Sequence, residues 1–485
     1  MKKSLFFAIA ALVVFASCQE KLINVENSGK KSTTDYSVIY ATIVQPDTKA
    51  AIEIGSTLAK INWDEGDQIT VTDASANEAV YQVVSGQGGS TSAEFEKISG
   101  ADLSGTEFTA TYGTAPSSSV VQTYSSTGTI PIYMTASGDS GLDNLKFTAQ
   151  CGVVKINLMN STSNISKIVI SDAANDYTLK CTTPVSITTA TDFFIVLPAG
   201  TYTKVAIVDS DVSIAKKTSS IEVLSGHVCP IKWNSASFVP TRGSADVATT
   251  IVEIPAGRTS CNWVQLWEDG PKWAGFNVGA QIDDYASYDT SSGDITVDMT
   301  FKTPSTTTTF DVRFSTENSG GLYEWNNYIN DRAISWETRS HTPSCDVATT
   351  LWGDKWKTPS LEILRLFANK KADGSGNLDE ELTVWEWCDG TEKQFITGCD
   401  IPGYKISGKG LYEENSIFFP ACGYYYYAGS IPTNYIGKYG NRCRIWSTND
   451  QNVLTFEYDG ANVTLNQEVQ GDPNFGLTVR AILYE

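Results

Sequence analysis

His227 and His341 are the only imidazoles in a chain of 485 residues, and that inventory disposes of much chemistry at once. A His-Glu-x-x-His metal site needs two rings one helical turn apart, and a nucleophilic triad needs one beside a serine or cysteine. Residues 227 and 341 fall in different expected domains. Neither a Gly-x-Ser-x-Gly elbow nor a phosphate-cradling P-loop occurs. Carboxylates are the remaining reactive groups. Asp379, Glu380, Glu381 and Glu386 could act on a glycosidic bond only if two of them stand at the separation that reaction requires, and clustered loop acids are usually solvated instead. Asp373, Ser375, Asn377 and Asp379 alternate as oxygen ligands do in a calcium loop, yet Leu378 stands where the sharp-turn glycine belongs and Val384 where the bidentate glutamate belongs. A Gly-rich surface insertion explains that stretch without an ion. The expectation is a chain with no catalytic residue, no metal and no cofactor.

The cysteines point elsewhere. Lys2-Lys3, an apolar run from Leu5 to Phe15 and then Ala16-Ser17-Cys18 form a charged n-region, a short h-region and small residues before a thiol. The run is too short to span a bilayer comfortably and reads as a signal peptide over 1–18. A cysteine at the cleavage point resembles a bacterial lipoprotein signal, in which Cys18 is acylated and becomes the first mature residue; the plainer reading is a secretory peptide with Cys18 incidental. Palmitate-like chains, at roughly 0.8 kcal/mol per buried methylene, would anchor the protein without a transmembrane helix. Gln19-Glu20-Lys21 points toward surface export, and residues 19–35, polar and without a sustained apolar period, read as a tether. Of ten cysteines, removing Cys18 leaves nine, so at least one thiol has no partner within the monomer, although export permits disulfides. No Cys-x-x-Cys occurs, which argues against zinc.

These groups need elements to carry them. After Thr358-Pro359, Leu361, Ile363, Leu364, Leu366 and Phe367 gather on one helical stripe, with Ser360 as N-cap. Around that helix everything reads as strand, including Tyr424-Tyr425-Tyr426-Tyr427, where alternation puts Tyr425 and Tyr427 on one face and Tyr424 and Tyr426 on the other. The blocks DVATTLWGDKWKTPSLEILRL, WEWCDGT, GYKISGKG, NSIFFPACGYYY, IWST and LTVRAI, with Lys272 to Ala280 ahead of them, resemble the Fibrobacter succinogenes major paralogous domain. That resemblance covers about residues 262–485 and implies an α+β C-type-lectin-like fold. It implies that Tyr424 and Tyr426 pack inward, which leaves Tyr425 and Tyr427 as the candidate ligand-binding residues, flat amphipathic faces suited to stacking on a sugar or a protein. Covering the core from the rim is the plainer role for that pair. The calcium-binding Trp-Asn-Asp motif of sugar-binding relatives is interrupted here at Trp446-Ser447-Thr448-Asn449-Asp450, so calcium-dependent sugar binding is not implied.

From Tyr36 to Trp233 short alternating runs such as Ile69-Thr70-Val71 and Ala79 to Val83 are separated by Gly, Ser, Asn and Asp, the pattern of β-sandwiches. Thr48-Lys49-Ala50, Asn62 to Val71, Ile130-Pro131-Ile132, Phe147 to Leu158 and Leu197 to Tyr202 resemble the fimbrillin-like lipoprotein family, whose members carry two successive sandwich subdomains. The expected fold is mainly β: tandem sandwiches over 36–150 and 151–233, a polar linker over 234–250 containing Pro240 and Gly243, and the C-type-lectin-like domain over 251–485. A formal charge of −20 would repel phosphate backbones and anionic headgroups, so nucleic acid is excluded as a partner.

Together these features describe an exported, lipid-anchored, non-enzymatic protein of the outer membrane, facing the cell surface. Its β-sandwich stalk carries a lectin-like module for an extracellular glycan or protein. One alternative is a pilus accessory or anchor subunit with other pilus subunits as partners, and another is an enzyme acting on an extracellular glycan. In the fimbrillin-like family shaft subunits mature by cleavage after an arginine, and none precedes Arg242, so this chain is not expected to build the repeating shaft. Replacing Cys18→Ala should release the protein from the membrane or leave its precursor uncleaved. Unchanged retention with normal processing, read by membrane fractionation and mass spectrometry, would remove the anchor.

Overall fold

Alternation of one residue in and one out makes strand of more than half of the described residues, and the core follows the same alternation. The computed structural model describes residues 36–44, 57–58, 61–126, 130, 132–138, 142–143, 145–159, 162–234, 236–248, 259–278, 346–388, 403–421, 424–427, 434–437, 442–448, 452–458, 463–470 and 479–484. The first strands are β1 (Val38–Ile43), β2 (Thr57–Leu58), β3 (Gln68–Asp73), β4 (Glu78–Val83), β5 (Ser92–Gly100), β6 (Phe108–Tyr112), β7 (Gln122–Thr123), β8 (Met134–Gly138) and β9 (Leu145–Ala149). Then come β10 (Cys151–Leu158), β11 (Asn164–Ser171), β12 (Asp176–Ser186), β13 (Thr191–Pro198), β14 (Gly200–Asp209), β15 (Ile214–Val223) and β16 (His227–Trp233).

Strands β1-β5-β4-β3-β6-β8-β9 close on themselves, because β9 returns parallel to β1 with Ala41 beside Leu145. Where the sequence reading expects a sandwich with edges, a closed barrel stands, which leaves no edge to protect. Ile39, Ile69, Val71, Tyr81 and Phe95 point inward, and Trp63 fills the centre, its ring 5.0 Å from Phe95 and 5.3 Å from Phe147 in edge contacts.

The second sandwich pairs a sheet ordered β13-β10-β16-β2 with one ordered β15-β14-β11-β12-β7. Its core holds Val154, Ile156, Ile168, Ile170, Phe193, Ile195, Val205 and Ile207. The break expected near residue 150 is not a clean cut. Strands β2 and β7 come from well before it, yet β2 pairs with β16 and β7 with β12. Edge strands leave backbone groups unpaired, and these early segments cover them. Gln122 does so with its side chain: its amide donates to the Val196 carbonyl (2.7 Å) and accepts from the Val196 amide (2.9 Å).

The C-terminal module begins with β17 (Arg242–Asp246), β18 (Ser260–Gln265) and β19 (Lys272–Ala274), followed by α1 (Val347–Trp352), β20 (Trp356–Lys357) and α2 (Leu361–Phe367). It continues through β21 (Thr383–Cys388), β22 (Gly403–Gly408), β23 (Ser416–Pro420), β24 (Tyr424–Tyr427), β25 (Asn434–Gly437), β26 (Arg442–Trp446), β27 (Asn452–Tyr458), β28 (Val463–Gln470) and β29 (Ile482–Leu483). Residues 242–246, expected inside the linker, are therefore strand; β17 pairs antiparallel with β18, and its Asp246 carbonyl accepts from the Trp356 indole (3.0 Å). Helix α2 is the expected one, with the Ser360 hydroxyl accepting from the Ile363 amide and Leu364 and Phe367 buried. Helix α1 was not anticipated. Asp346 caps it by accepting from the Thr349 amide (3.0 Å), and the same carboxylate accepts from the amide (3.0 Å) and hydroxyl (3.1 Å) of Thr358.

Arg480 is fully buried in this module. Its guanidinium donates to the Asn277 side chain (2.8 Å) and to the carbonyls of Ala274 (3.0 Å) and Phe418 (2.6 Å), and it lies 4.2 Å from the Phe419 ring. A cation can be buried when its donors are matched in this way. Losing the Asp346 carboxylate would orphan donors at α1 and at Thr358, just past β20, so Asp346→Ala should cost about 1–2 kcal/mol. Denaturant melts of the parent and variant would measure it, and equal midpoints would contradict the role.

Candidate functional site

The hairpin β24–β25 sets Tyr425 opposite Ile436 and Tyr427 opposite Asn434, with Tyr424 opposite Gly437 and Tyr426 opposite Tyr435. The expected strand is thus present, while the four tyrosine side chains lie outside what is described. Cys18, the signal peptide 1–18 and the tether 19–35 also lie outside the described residues, as does His341. His227 sits at the start of β16 with Nδ1 2.8 Å from the Ser225 carbonyl.

The acids divide between two places. Glu386 is exposed on β21, 3.9 Å from Lys405. Asp379, Glu380 and Glu381 lie on the wall of a cleft of about 960 Å³. In the calcium-like stretch the Asp373 carboxylate is spent on its own turn, accepting from the Ser375 amide (2.9 Å), and that bond holds its carboxyl below the usual range. Arg365 reaches over the same turn and donates to the Ala372 carbonyl (2.8 Å). Among the described residues, no group of three or more His, Cys, Asp or Glu is placed to hold a metal ion.

The cleft is assembled from distant parts of the chain. Asp176 and Lys204 come from the second sandwich, Trp267 and Glu268 follow β18, residues 368–370 and 377–382 follow α2, and Lys409 to Tyr412 form a turn after β22. Its volume lies in the range of ligand pockets, which run from roughly 300 to 1,000 Å³. Several of its charges are paired: Glu268 accepts from Lys204 (2.9 Å) and lies 2.6 Å from Lys216, and Glu381 accepts from Lys409 (3.2 Å). Partial burial would raise the Glu268 carboxyl, but the two lysines outweigh it and hold the group below its ordinary value. Tyr412, at the floor, is pushed up to about 12, chiefly by burial and then by the nearby Glu268 charge. A second hollow of about 310 Å³ lies beside β7, lined by Pro116, Val120, Tyr124, Leu179 and Phe194.

No family model matches this chain, and no curated protein does either. Among solved structures, a candidate cell adhesion protein from Bacteroides ovatus is 15% identical over 42% of this chain and 94% of that one, with a TM-score of 0.26. A fimbrial assembly protein from Parabacteroides distasonis is 9% identical over 40% and 90%, at 0.21, and a fimbrial protein from Bacteroides ovatus is 11% identical over 93% and 99%, at 0.22. TM-scores this low do not establish a shared fold.

Sequence reasoning singled out the acids after α2 but not the cleft, because its walls lie far apart in sequence. The Glu268 cluster gives the site a pH signature. A carboxyl held low in the folded state stabilises above its unfolded pKa and loses that contribution as pH falls through the folded value. Glu268→Gln should therefore lower the melting temperature at neutral pH, with a deficit of about 1 kcal/mol or less because the group is half exposed. The deficit should close on acidification below roughly pH 4. A gap that is constant with pH in thermal melts would show that charge is not the cause.

Proposed function

We propose that this protein is an exported, lipid-anchored, non-enzymatic component of the outer membrane and cell surface, in which the β-rich region acts as a stalk and a C-type-lectin-like module recognises an extracellular glycan or protein. The state of Glu268 carries the reading. A general acid needs a carboxyl raised toward working pH, as the acid of a glycosidase has. Glu268 is instead held low by Lys204 and Lys216, so this carboxylate is set to make charged and hydrogen-bonded contacts rather than to deliver a proton. A polar cleft with fixed ion pairs on its walls suits recognition. The lipoprotein-like leader and the two family resemblances support export and anchoring at Cys18, and the absence of an arginine before Arg242 supports a part outside any repeating shaft.

Within the module Tyr425 and Tyr427 are the proposed stacking residues. The mature full-length chain, tested on an array of bacterial and host glycans and by pull-down from the native envelope, should capture a glycan or protein ligand. Tyr425→Ala and Tyr427→Ala should each weaken that binding about tenfold, the size of a 1.4 kcal/mol contact, without changing the melting temperature. Equal destabilisation by alanine at all four tyrosines would make the run core and end the stacking role. Pilus subunits as the sole captured partners would favour the accessory-subunit reading, and release of reducing sugar from a glycan would overturn the non-enzymatic one.

A further inference from the structure

The outer face of sheet β15-β14-β11-β12, turned away from the sandwich core, is itself apolar and covered. Val169, Ala206, Val208, Val212 and Ile214 form a cluster with Leu411 and Tyr412 of the turn that follows β22, and each of the seven is buried. Ion pairs ring this plug, with the lysines on the sandwich and the glutamates on the C-terminal module. Lys167, its side chain only 4% exposed, donates to the Gly410 carbonyl (2.9 Å) and to Glu413 (2.8 Å). Lys204 and Lys216 both reach Glu268, and Lys180 stands 3.6 Å from Glu414.

The segment that leads from one part to the other is held along its length. Phe238 packs against the sandwich core, and Val239 and Ile214 exchange two backbone hydrogen bonds of 2.9 Å. The Thr241 hydroxyl donates to the Val212 carbonyl (2.5 Å) and accepts from the Asn415 amide (2.7 Å), which also donates to the Gln265 carbonyl (2.9 Å). Arg242 donates to the Asp211 carbonyl (3.1 Å). Val212 itself has φ +62°, a left-handed conformation that β-branched residues avoid and that persists only where the surroundings over-determine it.

We infer that the second sandwich and the C-terminal module are one rigid body, joined by a permanent interface in which the outer face of the sandwich has the chain's own turn 410–415 as its partner. Residues 236–248 are then a strap within that interface and not a hinge. Opening the joint would expose the seven plug residues to water and strip Lys167 of its acceptors, so closure is the state that apolar burial and hydrogen-bond matching both favour.

Hydrogen exchange on the mature full-length chain, followed by mass spectrometry, tests this. In the parent, peptides covering 236–248 should exchange as slowly as those of β14. In the double variant Leu411→Ala and Tyr412→Ala the same peptides should exchange at least about tenfold faster while those of β10 stay protected. If the double variant does not fold, Lys167→Met, which keeps the packing but loses both acceptor contacts, should produce the same local acceleration. Rapid exchange of 236–248 in the parent, or no change there in a folded variant, would overturn the rigid joint.

Discussion

Burial of β11 and β14 on both faces is the constraint on which the larger part of this chain depends. Inward, Ile168, Ile170, Val205 and Ile207 fill the sandwich; outward, Val169, Ala206 and Val208 meet Leu411 and Tyr412. A sheet with one apolar face can stand in water, whereas a sheet with two requires a second layer. The C-terminal module supplies it, and the cleft floored by Tyr412 exists because that layer is in place. The ion pairs around the plug do a different job from the plug. Pairs as exposed as Lys180 with Glu414 contribute little to stability but penalise wrong registers, while the apolar contacts supply the strength.

Much of the local structure was legible because local rules decide it. The stripe of Leu361, Leu364 and Phe367 behind Ser360 gives α2, and runs such as Gln68 to Asp73 give strands with the expected alternation. Helix α1 carries a local signal as well, since Asp346 three residues before Thr349 is an N-cap pattern, but Gly353 ends it after six residues, too few for an apolar stripe to show. Barrel closure was not legible. Whether β9 turns back to β1 or stops as an edge depends on the parallel pairing of residues about a hundred positions apart, and no local pattern carries that.

The joint had a signal that alternation hides. Ile168-Val169-Ile170 and Val205-Ala206-Ile207-Val208 are continuous apolar runs, and a run without alternation marks a strand covered on both sides. The polar segment after Trp233 looks like a linker by composition because its hydrogen bonds run through Thr241, Arg242 and the backbone of Val239, groups that a reader of composition takes as solvated. The cleft was hidden for a related reason. Its charges neutralise one another in space, Glu268 with Lys204 and Lys216, although in sequence they stand dozens of residues apart and form no motif.

Charge is therefore spent unevenly along the chain. A chain of net −20 would be expected to present acid to solvent everywhere, yet Lys167, Lys180, Lys204 and Lys216 are concentrated on one sheet face that meets Glu268, Glu413 and Glu414. Lys167 shows why the arrangement is directional. Buried as it is, its ammonium needs acceptors, and the Gly410 carbonyl and the Glu413 carboxylate of the seated turn supply two. A neutral side chain would accept the turn in several positions, whereas a buried ammonium accepts one. The same group that fixes the seat thus fixes Gly410 and Tyr412 on the cleft wall, which ties the geometry of the cleft to the packing of a sheet behind it.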